Sequence, residues 1–268
     1  MKQHNMHSSP VIQLGGLNFD LAAIAMILVT FLIVFLLALA GTRRLSVDKP
    51  GKLQNFLEWV VEFVRGIVAS NMDMKQGRSF VMLGITLIMF IFVGNMLGLP
   101  LTFVSGHEHP PIVFGHEVSV DAFTAAHDQG KHEVEISWWK SPTADASVTM
   151  GLALIVIVMS HFLGVTRNTK HYFKHYAQPS IAFLPIHLIE QFANLLTLGL
   201  RLFGNIFAGE VMIAVIAQLP FYVAWLPLSV WQGFSVFVGA IQAFVFVMLT
   251  MVYIGGKITH EEHAEAKH

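Results

Sequence analysis

Five stretches of this chain are apolar over about 20 residues or more, the length a helix needs to cross a bilayer. They run 21–40, 80–104, 146–165, 185–217 and 230–254. The expected fold class is therefore an all-α polytopic membrane protein, a single integral membrane domain over residues 1–268. It has about five membrane-embedded helices. The fourth run is too long for one perpendicular crossing, which predicts strong tilt or a partly interfacial start. With the fifth it forms a long tilted helical hairpin over 185–255. Residues 52–72 add an amphipathic helix. Leu53, Phe56, Leu57, Val60, Val64 and Ile67 fall on one face, with Glu58, Glu62 and Arg65 opposite. Such a helix lies on a membrane surface or against a partner helix.

Charge sets the orientation. Charged residues make up 12% of the chain, about half the fraction of a soluble domain. The net charge of −1 offers nothing to nucleic acid, and the absence of cysteine excludes disulfides and thiolate chemistry. With five spans, segments 41–79, 166–184 and the C-terminal tail share one side and carry twelve Lys and Arg, against three (Lys2, Lys131 and Lys140) on the other. The positive-inside rule then puts the C-terminus in the cytoplasm and the N-terminal segment 1–18 outside. The outer loop 105–143 holds His107, His109, His116, His127 and His132. Without fixed ligand spacing it reads as a solvated loop rather than a metal site.

The sixteenth basic residue, Arg201, belongs to neither side. It sits within TLGLRLFGNIFAGE, inside the fourth run. Arginine stays charged, and a charge at mid-span costs about 2.5–3.5 kcal/mol on insertion scales. It therefore faces a bundle interior, a watery cavity or an opposite charge. One reading is a structural ion pair within the chain; the other is a permanent charge on an ion pathway. Helical spacing puts Asn194, Thr197, Arg201 and Asn205 on one stripe that Glu190 extends, roughly 16 Å before Arg201. Glu210 points to the other side of the helix, roughly 13 Å beyond Arg201. Two carboxylates displaced to either side of a fixed cation suggest two separate aqueous paths.

The last run carries a polar line of its own, with Gln232, Ser235, Gly239, Gln242, Phe246 and Tyr253 on roughly one face. The Gln242 amide needs a partner, as interhelical glue or as part of a pathway. Asp145 precedes the third run, where an N-cap is its structural role. His161 and His187 make no haem pair at facing depths, and no phosphate loop, dinucleotide fingerprint or hydrolase motif appears. No cofactor is expected. A stand-alone ion channel or secondary transporter is the alternative reading, and an inert scaffold is a third.

TLGLRLFGNIFAGE followed by IQAFVFVMLTMVYI, SPTADASVTMGLAL before the third run and GNMLGLP at the end of the second closely resemble the subunit a family of bacterial rotary ATP synthases. The resemblance implies that Arg201 is the family's essential arginine and Glu210 its outer-channel glutamate. It likewise implies channel roles for Asn205, Gln242 and Asp145. Enterobacterial members carry a histidine seven residues before the glutamine, where this chain has Ser235. In this it resembles the Bacillus-like branch, as does the approach LIEQFANLLTLGLR with Glu190. The resemblance implies a non-catalytic, proton-translocating stator subunit in the bacterial plasma membrane. Its implied partners are a ring of c subunits, the b subunits of the peripheral stalk and the rest of the complex.

Overall fold

The computed structural model describes residues 8–98, 104–130, 133–167, 169, 172 and 183–258. Seven helices of eight residues or more occur among them: α1 Leu21–Thr42, α2 Lys52–Asn71, α3 Met74–Leu97, α4 Val120–Asp128, α5 Ala146–Arg167, α6 Leu184–Ile216 and α7 Phe221–Ile258. All but α2 and α4 are long and apolar enough to cross a membrane.

Local chemistry sets the helix limits. Asp20 caps α1 by accepting from the Ala23 amide, and Asp73 caps α3 by accepting from the Lys75 amide. The second span thus starts at Met74, six residues before the expected start, and ends at Leu97, seven residues before Val104. Gly98 closes it as the C-cap. Positions 99–103 of the expected span lie outside the described residues, and Val104 is in a strand. The last span is longer than the expected 230–254, since helix continues from Phe221 through Pro227. With 33 and 38 residues, α6 and α7 measure about 50 and 57 Å by the 1.5 Å rise, well beyond a hydrocarbon core of about 30 Å, so both must tilt or protrude.

α7 is the packing axis. Phe246, Val247, Met251 and Ile254 are fully buried, in one cluster with Val64 and Val68 of α2, Ile91 of α3, Val156 of α5 and Leu198 and Leu202 of α6. The amphipathic helix α2 therefore packs inside the bundle rather than only on a surface. Its buried stripe is Gln54, Val60, Val64, Ile67 and Val68. Phe56, expected on that stripe, is instead exposed and stacks with Trp59, which stacks on Phe63. Phe63 in turn meets Phe244 of α7, with ring centroids 5.6 Å apart.

The expected solvated loop is a folded cap. β1 Val11–Leu14 pairs with β2 Leu17–Asp20, β3 Val104–His107 with β6 Val134–Ser137, and β4 Ile112–Val113 with β5 His116–Glu117. Ser119 joins the two halves, its hydroxyl donating to the Ser9 carbonyl and accepting from the Val11 amide. Strands of two to four residues carry too little alternation to register as a pattern. His132 lies outside the described residues. Among those described, no three His, Asp or Glu side chains are placed to hold a metal ion. The far end of the bundle, opposite this cap, carries Arg43, Arg44, Arg167 and Lys257.

Candidate functional site at the α6–α7 hairpin

α6 leaves most of its surface uncovered. Only 17% of its most apolar window is buried, against 44% for α7. Its buried side is Leu198, Gly199, Leu202 and Ile206. Gly199 lies against Met150 of α5, leaving no room for a side chain. That contact turns the polar stripe outward. Thr197, Arg201 and Asn205 are exposed and Asn194 is half-buried. Arg201 forms no hydrogen bond or salt bridge with any described residue, and Tyr253 of α7 lies within its electrostatic reach. A structural ion pair within the described chain is therefore not what holds it.

Glu210 sits two and a half turns nearer the cap, on the other side of α6, facing a cavity of about 180 Å³. Asn205, Ser141 and Asn95 line the same cavity, with Ser235 and Trp231 from α7. A Glu210 carboxylate oxygen accepts from the Ser141 amide at 3.3 Å. The Trp231 indole donates to the Gly209 carbonyl at 3.2 Å, tying the hairpin's two arms together beside the carboxylate. Ser235 is buried, and its hydroxyl has no hydrogen-bond partner among the described residues. A buried hydroxyl beside a cavity that also holds the Glu210 carboxylate and the Asn95 and Asn205 amides is a natural water contact.

Asn205 and Gln242 are brought together, the Asn205 amide donating to the Gln242 carbonyl oxygen at 2.8 Å. This joins a residue of the exposed stripe to one that is 3% exposed. Asp145 caps α5 through the Ser147 amide at 2.8 Å and also contacts Lys140 at 3.3 Å. Burial pushes its proton affinity up, but the Ser147 hydrogen bonds and the Lys140 charge outweigh that and leave its pKa below the usual carboxylate value. Glu190 stands apart from this group. It is on the far side of Arg201 along α6, its side chain 60% exposed, 3.7 Å from the His187 ring.

Four further residues belong to the site. Ser141 donates from its hydroxyl to the Gly94 carbonyl, and its hydroxyl pairs with that of Thr143 at 2.6 Å. Thr143 also donates to the Asn95 side chain at 2.6 Å, and Asn95 donates to the Gly239 carbonyl at 3.0 Å. All are buried. This relay clamps the Ser141–Thr143 turn onto α3 and α7, which holds the amide that meets Glu210. Lys140 is the fourth. Asn95, a lone amide in an apolar run, and the turn residues just ahead of Asp145 were the available signals.

The family described as ATP synthase A chain matches residues 23–255. The chain is 45% identical to the ATP synthase subunit a of Lysinibacillus sphaericus over 95% of its length and 99% of that protein's. It is 45% identical to that of Bacillus subtilis with the same coverage. It is 48% identical to that of Listeria monocytogenes over 94% of this chain and 98% of that protein. A match of this extent, spanning all five long apolar helices and the cavity between them, places the chain in the ATP synthase subunit a family.

Proposed function

We propose that this chain is the stator subunit of an ATP synthase membrane motor, carrying protons past a ring of c subunits and so driving its rotation. The observation that carries the reading is Arg201. It is a permanent cation on the uncovered face of a membrane-spanning helix, with no partner among the described residues. A charge so placed is tolerated where an opposite charge or water meets it. A carboxylate on a neighbouring ring supplies that charge, and the nearby cation favours its ionised form.

The two glutamates then serve two paths. The cap end faces outward and the basic end faces the cytoplasm, in keeping with the twelve-to-three division of Lys and Arg. A proton from outside reaches Glu210 through the cavity, with Ser235, Asn205 and water as its neighbours. It passes to a ring carboxylate, which becomes neutral and turns into lipid. On its return that carboxylate meets Arg201, releases the proton toward Glu190 and is held ionised. A proton cannot pass straight from one path to the other, because the site between them stays cationic. Gln242 and Asn205 hold α6 and α7 in register beside that barrier. The b subunits of the peripheral stalk hold the chain against the ring's torque.

The partner is tested by disulfide trapping. Thr197→Cys, on the uncovered stripe, should cross-link to a cysteine placed beside the ring carboxylate. Leu198→Cys, buried against the bundle, should not. Equal trapping at both positions, or at neither, would refute the ring-facing assignment.

A further inference from the structure

We infer that Lys140 is a positioning residue for Glu210, setting both the geometry and the outer-pH response of the proposed uptake path. The inference rests on the reading of Glu210 as the uptake carboxylate. Lys140 is only 15% exposed, and its ammonium group has three acceptors: the Ser9 hydroxyl at 2.8 Å, Asp20 at 2.5 Å and Asp145 at 3.3 Å. An ammonium has three N–H donors, so all are used.

The two aspartates divide their work in the same way. Asp20 caps α1 with one carboxylate oxygen and gives the other to Lys140. Asp145 caps α5 with one oxygen and gives the other to Lys140. One amine thus staples the starts of two spanning helices and the N-terminal hairpin. The next residue in the chain is Ser141, whose amide holds Glu210.

Position and charge act together. The backbone carrying Ser141 is fixed on one side by the relay through Thr143 and Asn95 and on the other by the Lys140 staple. The groups facing Glu210 from the packed elements are the Ser141 amide, Asn95 of α3, and Ser235 and Trp231 of α7. All are neutral. Lys140 is the charged group that reaches it. Asp20 and Asp145 partly neutralise that charge, so the balance of the three sets the field at Glu210. A structural brace alone would need no such balance.

The test uses the intact complex in liposomes, with ATP synthesis measured while outer pH varies at fixed inner pH and fixed electrical potential. Lys140→Met removes the charge, and its outer-pH profile should move toward higher pH by about half a unit or more, since a cation favours an ionised carboxylate. Asp20→Asn keeps the helix cap, because asparagine caps as well as aspartate, but unmasks the amine. Its profile should move toward lower pH. Lys140→Arg, which keeps the charge, should retain the wild-type profile even at a reduced rate. Profiles that do not move, or that move the same way in Lys140→Met and Asp20→Asn, would overturn the inference. Should Lys140→Met fail to assemble, the sign of the Asp20→Asn shift alone decides. Glu210→Gln run in parallel separates the two levels. Full synthesis in that variant would refute the role of Glu210 itself, whereas lost synthesis with unmoved Lys140 and Asp20 profiles would refute only Lys140.

Discussion

The Asn205–Gln242 hydrogen bond should be worth unequal amounts from its two ends. Gln242 is 3% exposed, whereas Asn205 lies on the uncovered face of α6 and lines the cavity beside Glu210. Asn205→Ala removes the donor and leaves a buried amide oxygen unpaired, at a cost of about 1–3 kcal/mol. Gln242→Leu leaves the Asn205 amide where water replaces the partner, so only the net worth of one hydrogen bond is lost, about 0.5–1.5 kcal/mol. The double variant has no orphaned group, so its cost should fall below the sum of the singles by about 1 kcal/mol or more. The assay is heat-induced release of this subunit from the purified complex, with the four proteins compared as a cycle. Equal costs for the two single variants, or strictly additive costs in the double, would refute the reasoning.

Glu210→Gln should slow proton transport strongly, since an amide cannot exchange a proton as a carboxylate does. Ser235→Ala should be mild by comparison, because the neighbouring cavity still admits water. Flux measurements that reverse this order would take the uptake path away from Glu210. Ser235→His should be tolerated and add a pH dependence between about 6 and 7, near the unperturbed histidine value. A flat profile in that variant over pH 5 to 9 would count against contact between position 235 and the path. Asp145 has a lowered pKa in the folded protein, so it stabilises the cap above its ordinary value of 3.8 and loses that contribution as pH falls through the folded value. Labelling of a Ser9→Cys variant from the cap side, divided at each pH by that of the denatured protein to remove the thiol's own ionisation, should therefore stay constant from pH 8 to 5 and rise only below about 4. A rise centred near pH 6 would contradict the assignment.

The membrane spans were legible because their signal is length and apolarity, which tertiary packing does not alter. The α6 limits of Leu184 and Ile216 differ from expectation by one residue at each end. Polar residues in apolar runs were legible for the same reason. Arg201, Glu210, Asn205 and Gln242 stand out wherever they point, and helical spacing put Arg201 and Glu210 on opposite sides of α6. The pairing of Asn205 with Gln242 depends on the crossing of two helices, which no single-helix pattern contains. The cap was missed because its six strands are two to four residues each and its parts are joined by backbone contacts between residues more than a hundred apart, such as the Ser119 amide donating to the Val11 carbonyl. Lys140 was counted only as one of three basic residues on the outer side. Its importance comes from Asp20, 120 residues earlier, and no local spacing reveals that.

The claim that Arg201 keeps two proton paths apart is tested most directly by passive proton flux through reconstituted complexes with the catalytic head removed, comparing wild type with Arg201→Ala. Glu210 and Glu190 remain in the variant, so both paths persist while the cation between them is gone. The account predicts that ATP synthesis in the intact variant complex is abolished while the head-depleted variant still conducts protons without needing the ring to turn. Coupled synthesis in an assembled Arg201→Ala complex would contradict it.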